Sequence, residues 1–302
     1  MDGADPARTR AIALVKLTIA VVAWGASFIA TKVALRDASP AAVVWTRFLM
    51  GVVILGAVVI ARRQLTPVPV RDLGQFALLG FLGITFHQWL QSNGLVTAQA
   101  STTAWIIAST PVFIAILSAI VLRERLPRIG IVGIALAAAG VLLVATRGDL
   151  AQLARGKFGA PGDWLILLSA PNWAVFSVLS RRVLRGHPPA RMMFHVMTIG
   201  WLFTTVLLLA DPASRALPRF TPEGWVAVAF LGVVCSGFAY VFWYDALEAL
   251  PASQAGAFLY LEPLVAVVVA AVVLGEPVRV ASLLGGAIIL LGVWLVSRSS
   301  AS

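Results

Sequence analysis

PVFIAILSAIVLRERLPRIGIVGIALAAAGVLLV, from Pro111 to Val144, is answered 152 positions later by PLVAVVVAAVVLGEPVRVASLLGGAIILLGVWLV, from Pro263 to Val296. Without a gap, Pro111 falls on Pro263, Glu124 on Glu276, Gly133 on Gly285 and Gly140 on Gly292. Matches among Ala, Val and Leu carry little in so apolar a chain, so the inference rests on Pro, Glu and Gly. Each copy reads as an apolar helix entered just after a proline, a short turn around L-x-E, and a second apolar helix with two glycines seven residues apart. Two related halves, each too apolar for water, are the signature of a membrane protein built from internal repeats, transporters foremost.

Composition sets the same bounds. The chain has 302 residues, 60% of them hydrophobic and 12% charged, and its mean hydropathy is +0.93. A soluble domain carries about 25% charged residues, so this chain has too little polar surface to cover a water-soluble globule. Its net charge of +10 would suggest nucleic acid in a soluble protein. Here the basic residues are scattered between apolar runs, which is how orientation in a bilayer is fixed. One cysteine, Cys235, leaves no internal disulfide and no Cys-based metal site. The polar stretch Met1–Arg10 leads into an apolar run without a small-residue cleavage site, so no removable signal peptide is expected.

A spanning helix needs about 20 mostly apolar residues. Ten segments qualify: 13–35, 41–61, 73–93, 97–121, 129–146, 163–184, 191–210, 223–245, 252–274 and 280–297. The longest break, 147–162, separates a first repeat (1–146) from a second (163–302). Trp24-Gly25-Ala26 matches Trp173-Ala174-Val175, and Gly80 matches Gly232. Five segments per copy is odd, so the second copy enters the bilayer from the opposite side. The expected fold is an all-α membrane protein of ten transmembrane helices, arranged as two inverted five-helix repeats around a central cavity. Of the 23 Lys and Arg, fourteen fall on the side of the N-terminus and eight on the other, with Arg47 inside a segment. By the positive-inside rule both termini are expected in the cytoplasm.

Trp24-Gly25 with Phe28 in the first segment, Arg47-Phe48 early in the second, and the two P-x(10)-L-x-E stretches resemble the drug/metabolite transporter superfamily in its ten-helix EamA-type branch. Within that branch the chain looks most like bacterial inner-membrane exporters of amino acids, aromatic ones included. The resemblance implies a basket of helices, with a cavity lined mainly by helices 1, 3, 4, 6, 8 and 9 and with helices 5 and 10 at the periphery.

Polar groups are costly inside a bilayer, so those within segments are the candidates for function. His87 and Gln91, with Gln88 alongside, share a face of the third segment and suit the charged ends of an amino acid; a helix–helix hydrogen-bond patch is the competing reading. Tyr240 and Trp243 form an aromatic face on the eighth segment and fall at repeat positions of Gln88 and Gln91. Such a face receives flat apolar groups or organic cations. Trp24, Trp105 and Trp173 lie deeper than interfacial tryptophans need to, and packing competes with cavity lining for each. Glu262, before Pro263, reads either as a proton or substrate-amine site or as a structural carboxylate paired with a neighbour. Arg47 would be that neighbour, or would snorkel to the interface. Glu124 and Glu276 read as structural, capping or pairing with Arg128 and Arg279. The glycines in the fifth and tenth segments read as a close-packing face, equally suited to dimerisation.

Enzymatic readings lack support. No H-E-x-x-H, G-x-S-x-G or G-x(4)-G-K-[ST] is present, and His87, His187 and His195 are the only histidines. No lysine lies deep in a segment for a Schiff base, and no filter motif suggests a channel. The expected activity is therefore secondary export of amino acids, aromatic and other neutral or hydrophobic ones, by alternating access. Efflux of organic cations or other metabolites through the same cavity is the alternative. The expected partners are a small-molecule substrate and the lipid bilayer. No cofactor, metal or nucleic acid is called for, and a monomer is compatible with the sequence.

Overall fold

The computed structural model describes residues 6–67, 69–122, 128–149, 151, 159–184, 187–215, 219–250 and 258–299. The turn holding Glu124, half of the 147–162 connection and the start of the ninth segment lie outside the described residues. What is described is helical throughout, in ten successive rods. These are α1 (Pro6–Ala34), α2 (Pro40–Ala61), α3 (Val70–Gly80, Phe81–Phe86 and His87–Thr97, continuous), α4 (Ala100–Ile107 and Thr110–Leu122) and α5 (Arg128–Ala145). The second set is α6 (Pro161–Leu184), α7 (Pro189–Ala210), α8 (Pro222–Ala229, Phe230–Phe238 and Ala239–Ala249, continuous), α9 (Leu259–Leu261 and Glu262–Leu274) and α10 (Val280–Ser299). Seven helices are long and apolar enough to cross a membrane, and Leu259–Leu274 and Val280–Val296 are shorter apolar helices. α3 is equally long, but His87, Gln88, Gln91 and Asn93 dilute its apolar content.

Local chemistry sets the boundaries. Ser39 and Thr221 cap α2 and α8, their hydroxyls accepting from Ala42 N at 3.3 Å and Gly224 N at 3.1 Å. Each is followed by a proline whose missing N–H costs nothing at a first turn. α1 begins at Pro6, earlier than the apolar run, because Pro is also preferred at a helix start. α4 breaks at Ala108–Ser109, one turn before Pro111, and the hydroxyls of Ser109 and Thr110 donate to the carbonyls of Ile106 and Ile107, both at 2.6 Å. Pro263 plays the same part in α9, at the first turn of its main piece. α9 ends in left-handed Gly275 (φ 66°), a conformation that glycine adopts without Cβ strain.

Packing follows the small residues. A Cβ on Gly133 would stand 2.6 Å from the Gly292 carbonyl oxygen, and one on Gly140 would stand 2.6 Å from that of Gly285. α5 and α10 therefore run antiparallel with their backbones in contact, as glycine faces permit where lipid offers no hydrophobic drive. Gly80 of α3 crosses Gly200 of α7 equally closely. In both α3 and α8 the middle piece widens into a π-helix, Phe81–Phe86 and Phe230–Phe238.

The helix ends form two polar sets. At one, Lys16, Arg62 and Asp245 join α1, α2 and α8, with Nζ–Oδ2 at 2.7 Å and Nη1–Oδ1 at 2.8 Å. His187 meets Asp72 at 3.4 Å at the start of α3. At the other, Asp37 after α1 accepts from Thr221 N at 2.9 Å, and Lys32 donates to the Ala98 carbonyl. Here too Glu276 takes the N-terminus of α4: its carboxylate accepts from Ala100 N at 2.8 Å, Ser101 N at 3.1 Å and Ser101 Oγ at 2.6 Å. A carboxylate there satisfies orphan N–H groups and complements the helix dipole. Of the two structural roles expected for Glu276, capping is the one found, on a helix of the other half rather than beside Arg279.

Candidate functional site

The interior chemistry centres on Arg47. It lies in α2 about 10 Å from the helix start at 1.5 Å per residue and is 6% exposed. Its Nε donates to Ser236 Oγ of α8 at 3.1 Å and its Nη1 to Gln88 Oε1 of α3 at 3.2 Å. The guanidinium lies 5.0 Å from the Phe48 ring centroid. Arg47 thus ties three helices together; it neither snorkels outward nor hydrogen-bonds Glu262. Its two hydrogen-bond partners are neutral, which leaves a permanent charge in an apolar surround.

Two aromatic groups flank this network. In the first, Trp24 of α1 meets Tyr240 edge-on at 5.5 Å and Trp243 at 5.3 Å, both from α8. The Trp24 indole donates from Nε1 to the Cys235 carbonyl at 3.0 Å. That carbonyl lies in the π-helical piece of α8, where widening loosens the regular ladder. In the second, His87 of α3 lies 4.6 Å from Trp173 of α6, which in turn meets Phe176 at 4.7 Å. Asn172 Nδ2 donates to the Leu82 carbonyl at 2.9 Å, again in a π-helical piece, here of α3.

Of the nine residues singled out, seven fall in these groups or at their edge: Trp24, Tyr240 and Trp243; His87, Gln88 and Trp173; and Glu262. The backbone of Glu262 presses on α1, where a Cβ on Gly25 would stand 2.7 Å from its carbonyl oxygen. Its side chain has no hydrogen-bond partner among the described residues. Gln91 is half-buried, one turn along α3 from His87. Trp105 stands apart. It is 2% exposed in the cluster that α4 forms with α5 and α10, and its ring lies so close to Gly286 that a Cβ there would be 2.5 Å away. Among the described residues its Nε1 has no hydrogen-bond partner, and neither does Nδ1 of His87.

The rings expected around a central cavity stand against one another, Trp24 on Tyr240 and Trp243 and His87 on Trp173. Two cavities among the described residues are water-sized, about 10 Å³ each. One is lined by Pro40, Val44, Trp89 and Thr204 among others, and the other lies beside Glu276 and Ser101. No group of three or more His, Cys, Asp or Glu able to hold a metal occurs among the described residues.

Arg47, read as a motif residue that either partners Glu262 or snorkels to the interface, is the centre of the network, and a charge inside a segment is the signal that points to it. Ser236 and Phe176 gave no signal, since nothing local distinguishes them from other small or aromatic residues of apolar helices.

Comparison with known proteins agrees with this architecture. The model of the EamA-like transporter family matches the chain twice, at residues 11–146 and 160–298. A protein of Archaeoglobus fulgidus called an uncharacterized transporter is 27% identical over 282 residues, 93% of this chain and 97% of its own. A probable terminal-alkyne amino-acid exporter of Streptantibioticus cattleyicolor is 30% identical over 282 residues, 93% of this chain and 92% of its own. A solved crystal structure superposes with a TM-score of 0.66 at 21% identity, covering 95% of this chain and 96% of that one, which speaks for the fold alone. With both halves matched by one family model and the helices arranged as described, this multi-pass membrane protein belongs to the EamA-like transporter family.

Proposed function

We propose that the chain is a secondary exporter of amino acids, neutral and aromatic ones first, working by alternating access of a site between α1, α3, α6 and α8. The observation that carries this reading is the pairing of two aromatic groups around one buried polar network. Trp24, Tyr240 and Trp243 supply flat apolar contact for a side chain, while Gln88 and Gln91 supply amides for polar ends. Glu262, whose carboxylate finds no protein hydrogen bond among the described residues, is the group for the substrate amine. The similarity to a probable terminal-alkyne amino-acid exporter favours the same class.

The proposed movement rests on an inverted duplication, residues 1–146 against 163–302. The α5–α10 contact supports it: the shift that takes Gly133 to Gly285 also takes Gly292's partner role to Gly140, so the contacts Gly133–Gly292 and Gly285–Gly140 exchange with one another. Such reciprocity is what a two-fold axis in the membrane plane produces. The setting is the inner membrane of a bacterium, with both termini in the cytoplasm, following the excess of Lys and Arg on the N-terminal side.

Purified protein in liposomes tests this with labelled phenylalanine, labelled threonine and a cationic drug, each with and without a pH gradient. Movement of the amino acids is expected. Movement of the drug alone replaces amino-acid export with cation efflux.

A further inference from the structure

Arg47 has more donors than the protein uses. A guanidinium carries five N–H groups in a planar fork and stays charged at every physiological pH. Two are engaged, by the Ser236 hydroxyl and the Gln88 amide. Both acceptors are neutral, and the residue is 6% exposed on a helix that crosses the membrane. No carboxylate bonds it among the described residues. A buried cation without a counter-charge is strongly disfavoured in an apolar surround. Ser236 and Gln88 hold the fork from α8 and α3, which turns its orientation into a fixed feature of the interior. Arginine's geometry matches a carboxylate through two parallel N–H···O bonds, a match neither lysine nor an amide reproduces.

We propose that Arg47, clamped by Gln88 and Ser236, binds the carboxylate of the transported molecule, so that the site selects carboxylate-bearing substrates over the corresponding amines. The inference deepens the transport reading and rests on it. Trp24, Tyr240 and Trp243 then hold the side chain. An organic cation meets the guanidinium as a like charge, and this separates the two substrate classes.

The experiment uses matched pairs differing only in the carboxylate: phenylalanine against phenethylamine, and tyrosine against tyramine. Equilibrium binding to the solubilised full-length protein and uptake into proteoliposomes are both measured, for wild type, R47Q, R47K and S236A, each checked for monodisperse elution. Wild type is expected to favour the amino acid. R47Q is expected to raise the dissociation constant of the amino acid by about 10- to 100-fold, the range for a hydrogen bond to a charged group, and to leave the amine unchanged or improved. R47K recovers part of the preference, having charge but not the fork. S236A, which keeps the arginine, weakens amino-acid binding in the same direction and by less, and carries the test should R47Q fail to fold. Equal loss of acid and amine in R47Q, or in S236A if that alone folds, assigns Arg47 a structural role and overturns the proposal. Wild-type binding without uptake of the amino acid defeats the transport reading and leaves the anchor standing. Wild-type binding of the amines but not the acids overturns the anchor, and binding of neither class overturns both.

Discussion

The contact of α1 with α8 and that of α6 with α3 are built on one plan and lined differently. In each, a tryptophan from the first helix of one half, Trp24 or Trp173, packs on the third helix of the other half. In each, that third helix opens into a π-helical piece whose carbonyl accepts a side-chain donor from the partner helix. The donors differ. Trp24 uses its own indole, whereas Asn172 bonds in place of its neighbour and leaves the Trp173 indole without a hydrogen bond among the described residues. The linings differ too, with Tyr240 and Trp243 standing where Gln88 and Gln91 stand in the other half. The backbone plan is shared while the side chains differ, aromatic on α8 and amide on α3. Under the proposed function, that division suits a molecule with an apolar end and a charged end.

The sharpest way to break the comparison is at the π-helical pieces. Gly83 leaves room for Phe176, whose ring lies 2.4 Å from where a Cβ would stand. Its repeat position holds Cys235, which already carries a side chain. Gly83→Val is expected to cost about 1–3 kcal/mol through overpacking, seen as a lowered thermal midpoint in detergent, while Cys235→Val costs clearly less. Equal losses would mean the two contacts are not packed differently.

Next in size is the exchange of linings. Tyr240→Gln with Trp243→Gln makes both walls amide-rich. It is expected to raise the KM for phenylalanine about tenfold, from lost aromatic contact, and to change the KM for threonine little. A uniform rise for both substrates removes the apolar wall from the account. A smaller effect separates the two tryptophans. Trp24→Phe strands the Cys235 carbonyl and is expected to lower stability by about 1 kcal/mol, whereas Trp173→Phe breaks no hydrogen bond and lowers it less. Smallest of all is His87→Phe. It replaces an Nδ1 without a partner among the described residues by carbon and keeps the ring on Trp173, but loses the imidazole's hydrogen bond to the Ser169 backbone, so stability is expected to fall by less than about 1 kcal/mol with the pH profile of transport unchanged. A flattened profile would make His87 the titrating group.

What the sequence made legible follows from what each signal depends on. Helix number and a close-packing glycine face on α5 and on α10 were readable because hydropathy and glycine spacing are local, but that these two faces meet each other was not. The proline positions in α4 and α9 also came through, since a missing N–H acts on its own turn. The π-helical pieces did not, because FLGITF and FLGVVCSGF read as ordinary apolar helix and the widening is settled by donors from other helices. Glu276 was recognised as structural, but its partner is a helix start 176 residues away at Ala100. Trp105 shows where two readings stayed open, cavity lining and packing. Its depth suggested a substrate contact, while Gly286, on a helix expected at the periphery, receives its ring. Arg47 was visible as a charge inside an apolar run, yet its neutral clamp needed two further helices to assemble.

Asp245 has one more consequence. It draws Lys16 and Arg62 together at the ends of α1, α2 and α8, while its repeat position is occupied by Asn93, which carries no charge. The fastening at that end is ionic; at the opposite end Glu276 holds backbone amides and a hydroxyl. Dissolved electrolyte screens the first kind of link more than the second, so rising ionic strength is expected to loosen the Asp245 end of α1, α2 and α8 more than the Glu276 end of α4.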